Sequence, residues 1–307
     1  MPGWNDVLSE IQVAAAWDPF KVVRQRYLKK LSDLLGGRNI ISYYSGWLQK
    51  PGILESSLLN EDKNAFMTML HTMDRKKGLD LIIHTPGGDL CACESIVDYL
   101  KMMFGKNIRA IVPQLAMSAG TMMSCACNKI VMGKESSLGP IDPQLGGLPA
   151  QAVLEEFERA AQEIKKEPSR IAVWQPIISK YHPSYLVECE KSIIYAKQLC
   201  EKWLKENMFD KDSSKASIVA NALSDHKSSK THSRQFNVLQ CKEMGLKIES
   251  LESIKPSKNI TEEPKDVVQD TVLTIHHAYM HTFANTNCFK IVENHLGVDI
   301  SSRLRNR

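Results

Sequence analysis

Residues 116–144, AMSAGTMMSCACNKIVMGKESSLGPIDPQ, follow LIIHTPGGD at 81–89, and the two blocks together decide the fold. The upstream block begins in LDLIIH (79–84), a short apolar run rich in β-branched residues, of the kind buried on both faces of a parallel sheet; IRAIVP (108–113) is a second. Each run feeds a helix. After Gly87 and Gly88, the segment DLCACESIVDYLKMMF (89–104) places Cys93, Ile96, Leu100, Met103 and Phe104 at helical spacing, with Asp89 as the cap. Strand, glycine turn, helix and strand make a unit whose crossover should be right-handed. Beyond IRAIVPQLAM the chain turns at Ser118 into a helix of small and soft residues, then returns as the strand KIVMG (129–133). The pattern predicts an α/β fold with Ser118 at a helix N-terminus.

That position has chemical consequences. The first N–H groups of a helix lack intrahelical partners, and the dipole there favours negative charge. Gly87 tolerates unusual backbone angles and lets a carbonyl oxygen approach its N–H, while the Ala119 N–H follows the serine directly. Two such donors are what acyl transfer needs for a developing oxyanion. The nucleophile elbow of α/β-hydrolases has glycine two residues before its serine, and Ala116 stands there, which argues against that fold.

The blocks HTPGGD (84–89), AMSAGT (116–121) and LGPIDPQ (138–144), with KTHSRQF (230–236) and MGLKI (244–248) after them, resemble the serine dehydrogenase proteinase family. That family lies within the Clp-protease and crotonase folds, a group that includes signal peptide peptidase A. The resemblance runs from about Gly37 to Leu246. It implies a spiral core of ββα units, assembly into homo-oligomers, a protein or peptide substrate, and a triad in the order Ser, Asp, His, assigned here to Ser118, Asp142 and His232. Clp proteases use the order Ser, His, Asp. Asp142 falls about where a Clp protease has its histidine, and His232 lies in the segment that would carry its aspartate.

Each residue also has a plainer reading. Ser118 is a favoured cap residue, and Asp142, between Ile141 and Pro143, suits a turn in which Asp bonds its own backbone. His232 lies in the polar stretch SDHKSSKTHSR (224–234), where a histidine is ordinarily solvated and where His226 is its rival as base. His84 flanks the glycine turn and reads best as a core-edge residue. A Ser-Lys dyad is the other route to an activated serine. In SYLVECEKSIIYAKQLCEKWL (184–204), Leu186, Cys189, Ile193, Cys200 and Trp203 form an apolar stripe; Lys191 falls opposite it and Lys197 within it, so Lys197 is the lysine candidate. Its commoner role is a snorkelling stem with the ammonium in water. A crotonase-like acyl-thioester enzyme and a catalytically silent adaptor would share the fold without needing the nucleophile.

Composition narrows the class without deciding it. With 307 residues, 43% hydrophobic and 24% charged, the chain can bury a full core. Net charge is +4 with acids and bases interspersed, which does not suggest a nucleic-acid surface, and RQRYLKK (24–30) reads as the wet face of an amphipathic helix. No apolar run approaches the ~20 residues that span a bilayer, and MPGWNDVLSEIQ does not read as a signal peptide. A cytoplasmic protein is expected, without cofactor or membrane partner, its 8 cysteines reduced and used as small core residues.

Three regions organise the chain: a helical segment at 1–36, a core at 37–250 interrupted by a polar stretch near 210–234, and at 251–307 a linker followed by a helix in DVVQDTVLTIHHAYMHTFANT (266–286). The terminal helical segments are expected as appendages. On the last helix Ile275, Tyr279 and Phe283 share a stripe expected at a subunit interface. His277 and His281 are four apart, but no glutamate completes a zinc-protease pattern, and no metal site is expected.

Overall fold

The computed structural model describes residues 3–210, 212–225, 230–257, 264 and 266–304. Helix α1 (Trp4–Val13) is followed by α2 (Pro19–Leu34), which starts where Pro19 presets the first helical angle and the Asp18 carboxylate accepts the Lys21 N–H. Strand β1 (Asn39–Ser45), α3 (Asp62–Leu70), β2 (Leu79–His84), α4 (Leu90–Phe104), β3 (Ile108–Val112), the short β4 (Leu115–Ala116), α5 (Ala119–Cys125) and β5 (Lys129–Met132) then alternate, as LDLIIH, IRAIVP and KIVMG predict. Next come β6 (Ser137–Leu138), the hairpin β7 (Gln144–Leu145) and β8 (Leu148–Pro149), and the helices α6 (Ala150–Lys166), α7 (Ile171–Ile178), α8 (Tyr185–Trp203) and α9 (Ser213–Ser224). Strand β9 (Phe236–Asn237), α10 (Val238–Glu243), β10 (Ile248–Ser250), α11 (Val267–Asn285), β11 (Cys288–Asn294) and β12 (Asp299–Arg303) follow.

The central sheet has the order β10-β5-β3-β2-β1-β11-β12, parallel from β10 to β1 and antiparallel across β11 and β12. Because alternate residues of a strand face opposite sides, a strand apolar on both parities builds two layers. Ile41, Tyr43, Leu81 and Ile83 pack on one side with Phe66, Ile96 and Leu100; Ile40, Tyr44 and Ile82 pack on the other with Leu28, Leu31 and Ile275. Helices α3, α4 and α5 therefore cover one face, and α2 and α11 the other. The result is the mixed α/β architecture with a mostly parallel sheet that the two sequence blocks predict.

The C-terminal region corrects two expectations. Ile275, Tyr279 and Phe283 are fully buried within the chain and do not await a neighbouring subunit. They press on the sheet because β11 and β12 extend it beside β1, and these strands escape a sequence reading because Lys290 and Glu293 interrupt CFKIVEN. Each charge meets an opposite charge within the chain. Lys290 Nζ donates to both Asp62 carboxylate oxygens at 3.0 Å and to the Ser57 carbonyl at 2.7 Å, while Glu293 accepts from Arg24 at 2.8 Å and from the Tyr279 hydroxyl at 2.9 Å. The polar stretch at 210–234 also contains a helix: Ala216, Val219, Ala220 and Leu223 of α9 are buried, and Asp212 caps it by accepting the Lys215 N–H.

Candidate active site

Ser118 occupies the N-cap of α5, as its sequence setting predicts, with φ of +50° and ψ of −115°. This backbone region is costly for a residue with a side chain and persists only where the surroundings impose it. Here they do. Thr85 and Ala116 pair across the ends of β2 and β4: the Thr85 N–H donates to the Leu115 carbonyl at 3.1 Å, and the Met117 N–H donates to the Thr85 carbonyl at 3.0 Å. The Gly120 N–H then returns to the Met117 carbonyl at 2.7 Å, closing the turn around the serine. Ser118 does not cap its own helix.

The glycine pair lies directly against this turn. Gly87 has φ of +100°, and a Cβ there would stand 2.7 Å from Ser118 Cβ and 3.0 Å from the Ala119 nitrogen. At Gly88 a Cβ would meet the Leu58 backbone at 2.4 Å, because the Leu58 N–H donates to the Gly87 carbonyl and the Asp89 N–H to the Leu58 carbonyl. Only glycine permits both approaches. The Gly87 N–H is 3.2 Å from Thr85 Oγ1, a long bond, and the Ala119 N–H, first in α5, has no partner inside its helix.

Asp142 and His232, 90 residues apart, meet at 2.8 Å between Asp142 Oδ1 and His232 Nδ1. Asp142 is buried, while His232 lines a cleft of about 900 Å³ together with Gly87, Ser118 and Ala119. The loop carrying Asp142 is anchored on both sides, the Ile141 N–H donating to the Leu223 carbonyl and the Ala150 N–H to the Pro143 carbonyl, each at 3.0 Å. With Nδ1 committed to the carboxylate, Nε2 is the nitrogen left for the cleft. Among the described residues Ser118 Oγ makes no hydrogen bond; in enzymes without substrate such contacts are often long.

A family model for ClpP-like SDH-type serine proteinases matches residues 56–258. The chain belongs to that family. Gly87, Ser118, Asp142 and His232 all fall inside the matched region. An uncharacterized protein of Methanocaldococcus jannaschii, MJ1495, is 31% identical over 189 residues, which cover 61% of this chain and 58% of that protein. A second from the same organism, MJ0137, is also described as uncharacterized and is 40% identical over 99 residues, covering 32% of this chain and 34% of its own length. The chain thus spans little more than half of one relative and about a third of the other.

The other candidates fall away from the cleft. Helix α8 meets it through Ser192, Tyr195 and Ala196, whereas Lys197, half-buried, is not part of its wall. His226 lies outside the described residues. His84 is fully buried behind the wall, 5.1 Å from His276 and 4.5 Å from Trp47 between ring centroids; burial, and then the neighbouring His276, hold its pKa well below the ordinary histidine value. His281 Nε2 lies 3.0 Å from the Trp4 carbonyl, and no cluster of three metal-ligating side chains occurs among the described residues.

Trp47, Met117, Met122, Ile141 and Leu145 supply an apolar wall that the sequence reading does not assign. The signal available was position, since crevices in open α/β sheets form outside the carboxyl ends of the strands and Trp47 follows β1 by two residues. Tyr195, also lining the cleft, donates to the Glu94 carboxylate, and that bond, more than burial, pushes its phenol pKa up.

Proposed function

We propose that the chain is a serine peptidase in which Ser118, His232 and Asp142 act as one unit on protein or peptide substrates. The observation that carries this reading is that Ser118, on a strained turn, shares one cleft with a histidine whose other ring nitrogen is held by a buried carboxylate. Ser118 Oγ attacks the scissile carbonyl carbon as His232 Nε2 takes its proton, and Asp142 steadies the imidazolium. The oxyanion is held by the Ala119 N–H and by the Gly87 N–H, whose long bond to Thr85 is weak enough to be shared. His232 returns the proton to the leaving amine, and water then hydrolyses the acyl-enzyme.

A fluorophosphonate probe on the pure protein, read beside cleavage of a fluorogenic peptide library, tests this. Labelling confined to Ser118 with peptide turnover is expected; an unlabelled, inert protein would leave the adaptor reading, and thioester turnover in its place the crotonase-like one.

A homo-oligomer is part of the same reading. Ile171 and Val173 on α7 and Ile194 on α8 are 54%, 53% and 54% exposed, apolar side chains of the kind that assembly covers. Light scattering at micromolar concentration decides it, a monomer refuting the idea. All eight cysteines are free thiols, in keeping with a cytoplasmic setting, and among the described residues no helix is long and apolar enough to cross a membrane.

A further inference from the structure

Ser118 and Asp142 sit on separate loops, and one buried hydroxyl joins them. Thr121, in the first turn of α5, is 0% exposed. Its Oγ1 lies 2.8 Å from the Ala116 carbonyl, two residues before Ser118, and 2.9 Å from the Gly139 carbonyl, three residues before Asp142. The Gly139 N–H donates back to the same oxygen at 2.9 Å. A hydroxyl has one proton and two lone pairs, so Thr121 can serve one carbonyl at a time while accepting from Gly139 throughout.

This is not what a hydroxyl in a helix usually does. Ser124, one turn later, donates to the Gly120 carbonyl four residues back, the ordinary local bond. Thr121 instead reaches outside its helix to the loops on either side. The loops also touch directly: a Cβ on Gly139 would stand 2.6 Å from the Met117 Cε and 3.3 Å from Met117 Cα, next to the serine. If packing alone decided this site, valine would fill it at similar volume without the desolvation cost of a hydroxyl.

We propose that Thr121 is a positioning residue for the peptidase reaction, setting the spacing between the turn that carries Ser118 and the loop that carries Asp142, and through Asp142 the placement of His232. The proposal rests on the Ser118, Asp142 and His232 reading. Thr121 does not line the cleft, so its loss acts on alignment and leaves substrate contacts in place. Misplacement of reacting groups by about 1 Å costs on the order of 100-fold in rate.

The test compares full-length wild type with Thr121→Val, Thr121→Ser and Thr121→Cys. Two readouts are taken: kcat and KM on a fluorogenic peptide, and the NMR chemical shift of the His232 Nδ1–H, assigned by its loss in His232→Ala. Thr121→Val should lower kcat by roughly 30- to 100-fold with KM within about threefold of wild type. Its His232 Nδ1–H resonance should move upfield, because a longer contact with Asp142 weakens the hydrogen bond that deshields that proton. Thr121→Ser, keeping the hydroxyl, should restore both. Should the valine variant not fold, Thr121→Cys, a weaker donor and acceptor, should show the same changes to a smaller extent. Wild-type kcat and an unmoved His232 Nδ1–H resonance in the folded valine or cysteine variant would overturn the proposal. A wild type that neither cleaves peptide nor takes the probe would instead overturn the peptidase reading; the His232 Nδ1–H resonance would then judge Thr121 alone, an unmoved shift refuting the coupling.

Discussion

His232 Nδ1 lies 2.8 Å from Asp142 Oδ1, joining a cleft-lining imidazole to a carboxylate that is only 2% exposed. Buried carboxylates need such partners, and this one fixes which nitrogen the histidine leaves for the cleft. If the pair works as a unit with Ser118, Asp142→Ala and His232→Ala should each lose at least ~100-fold in turnover, and the double variant little more than the worse single. Steady-state kinetics on the three variants decides this. Multiplicative losses, or an active His232→Ala, would remove His232 as base.

The strain at Ser118 separates catalysis from stability. Ser118→Ala should abolish labelling and turnover while the melt stays nearly where it was, because its φ of +50° is costly for alanine as well. Ser118→Gly should be equally inactive yet more stable by about 1 kcal/mol, since glycine adopts positive φ without that cost. Urea titration of both variants checks the difference, and equal stabilities would mean the turn is not strained.

Much of this site was legible in sequence because its signals are local. LIIHTPGGD and AMSAGT each place a strand end beside a turn that needs small residues, so Gly87, Ser118 and Ala119 fall at adjacent turns as expected. Asp142 and His232 required the family resemblance, since a proline-flanked turn and a polar loop look ordinary until folding brings them together. The C-terminal strands were hidden for a different reason. Lys290 and Glu293 suit a surface in sequence, and their partners Asp62 and Arg24 lie more than 200 residues away, so the neutralisation that permits burial is a long-range property. Thr121 is silent for the same reason, its three polar neighbours being gathered only in three dimensions.

Gly87 should not tolerate a side chain. An alanine Cβ would stand 2.7 Å from Ser118 Cβ and 2.9 Å from the Met117 carbonyl oxygen, at a φ of +100° that alanine rarely adopts. The turn must then move away from the serine, taking the Gly87 N–H, the proposed oxyanion donor, with it. Gly87→Ala is expected to lose ~100-fold or more in kcat and about 1–3 kcal/mol in stability. A folded Gly87→Ala with wild-type kcat would show that this N–H is not a donor in the reaction.

Acid should destabilise the protein through histidines that take no part in the chemistry. Burial, followed by the neighbouring His277, lowers the His276 pKa to about 3 in the folded chain, and burial also holds His84 well below 6.5. Both folded values are depressed, so the unfolded chain binds more protons between the two limits: the stability is complete above pH 6.5 and drains away as pH falls toward 3. For His276 alone, with an unfolded value near 6.5, the loss on going from pH 7 to pH 5 is about 2 kcal/mol. His84 adds to it in the same direction. Glu293, whose pKa is raised chiefly by burial, acts in the opposite sense, so the comparison is best made between wild type and His276→Leu over the same pH range, where the Glu293 contribution cancels. Urea midpoints from pH 7 to pH 5 should fall less steeply for His276→Leu than for wild type. Parallel curves would mean that His276 is not held neutral by burial.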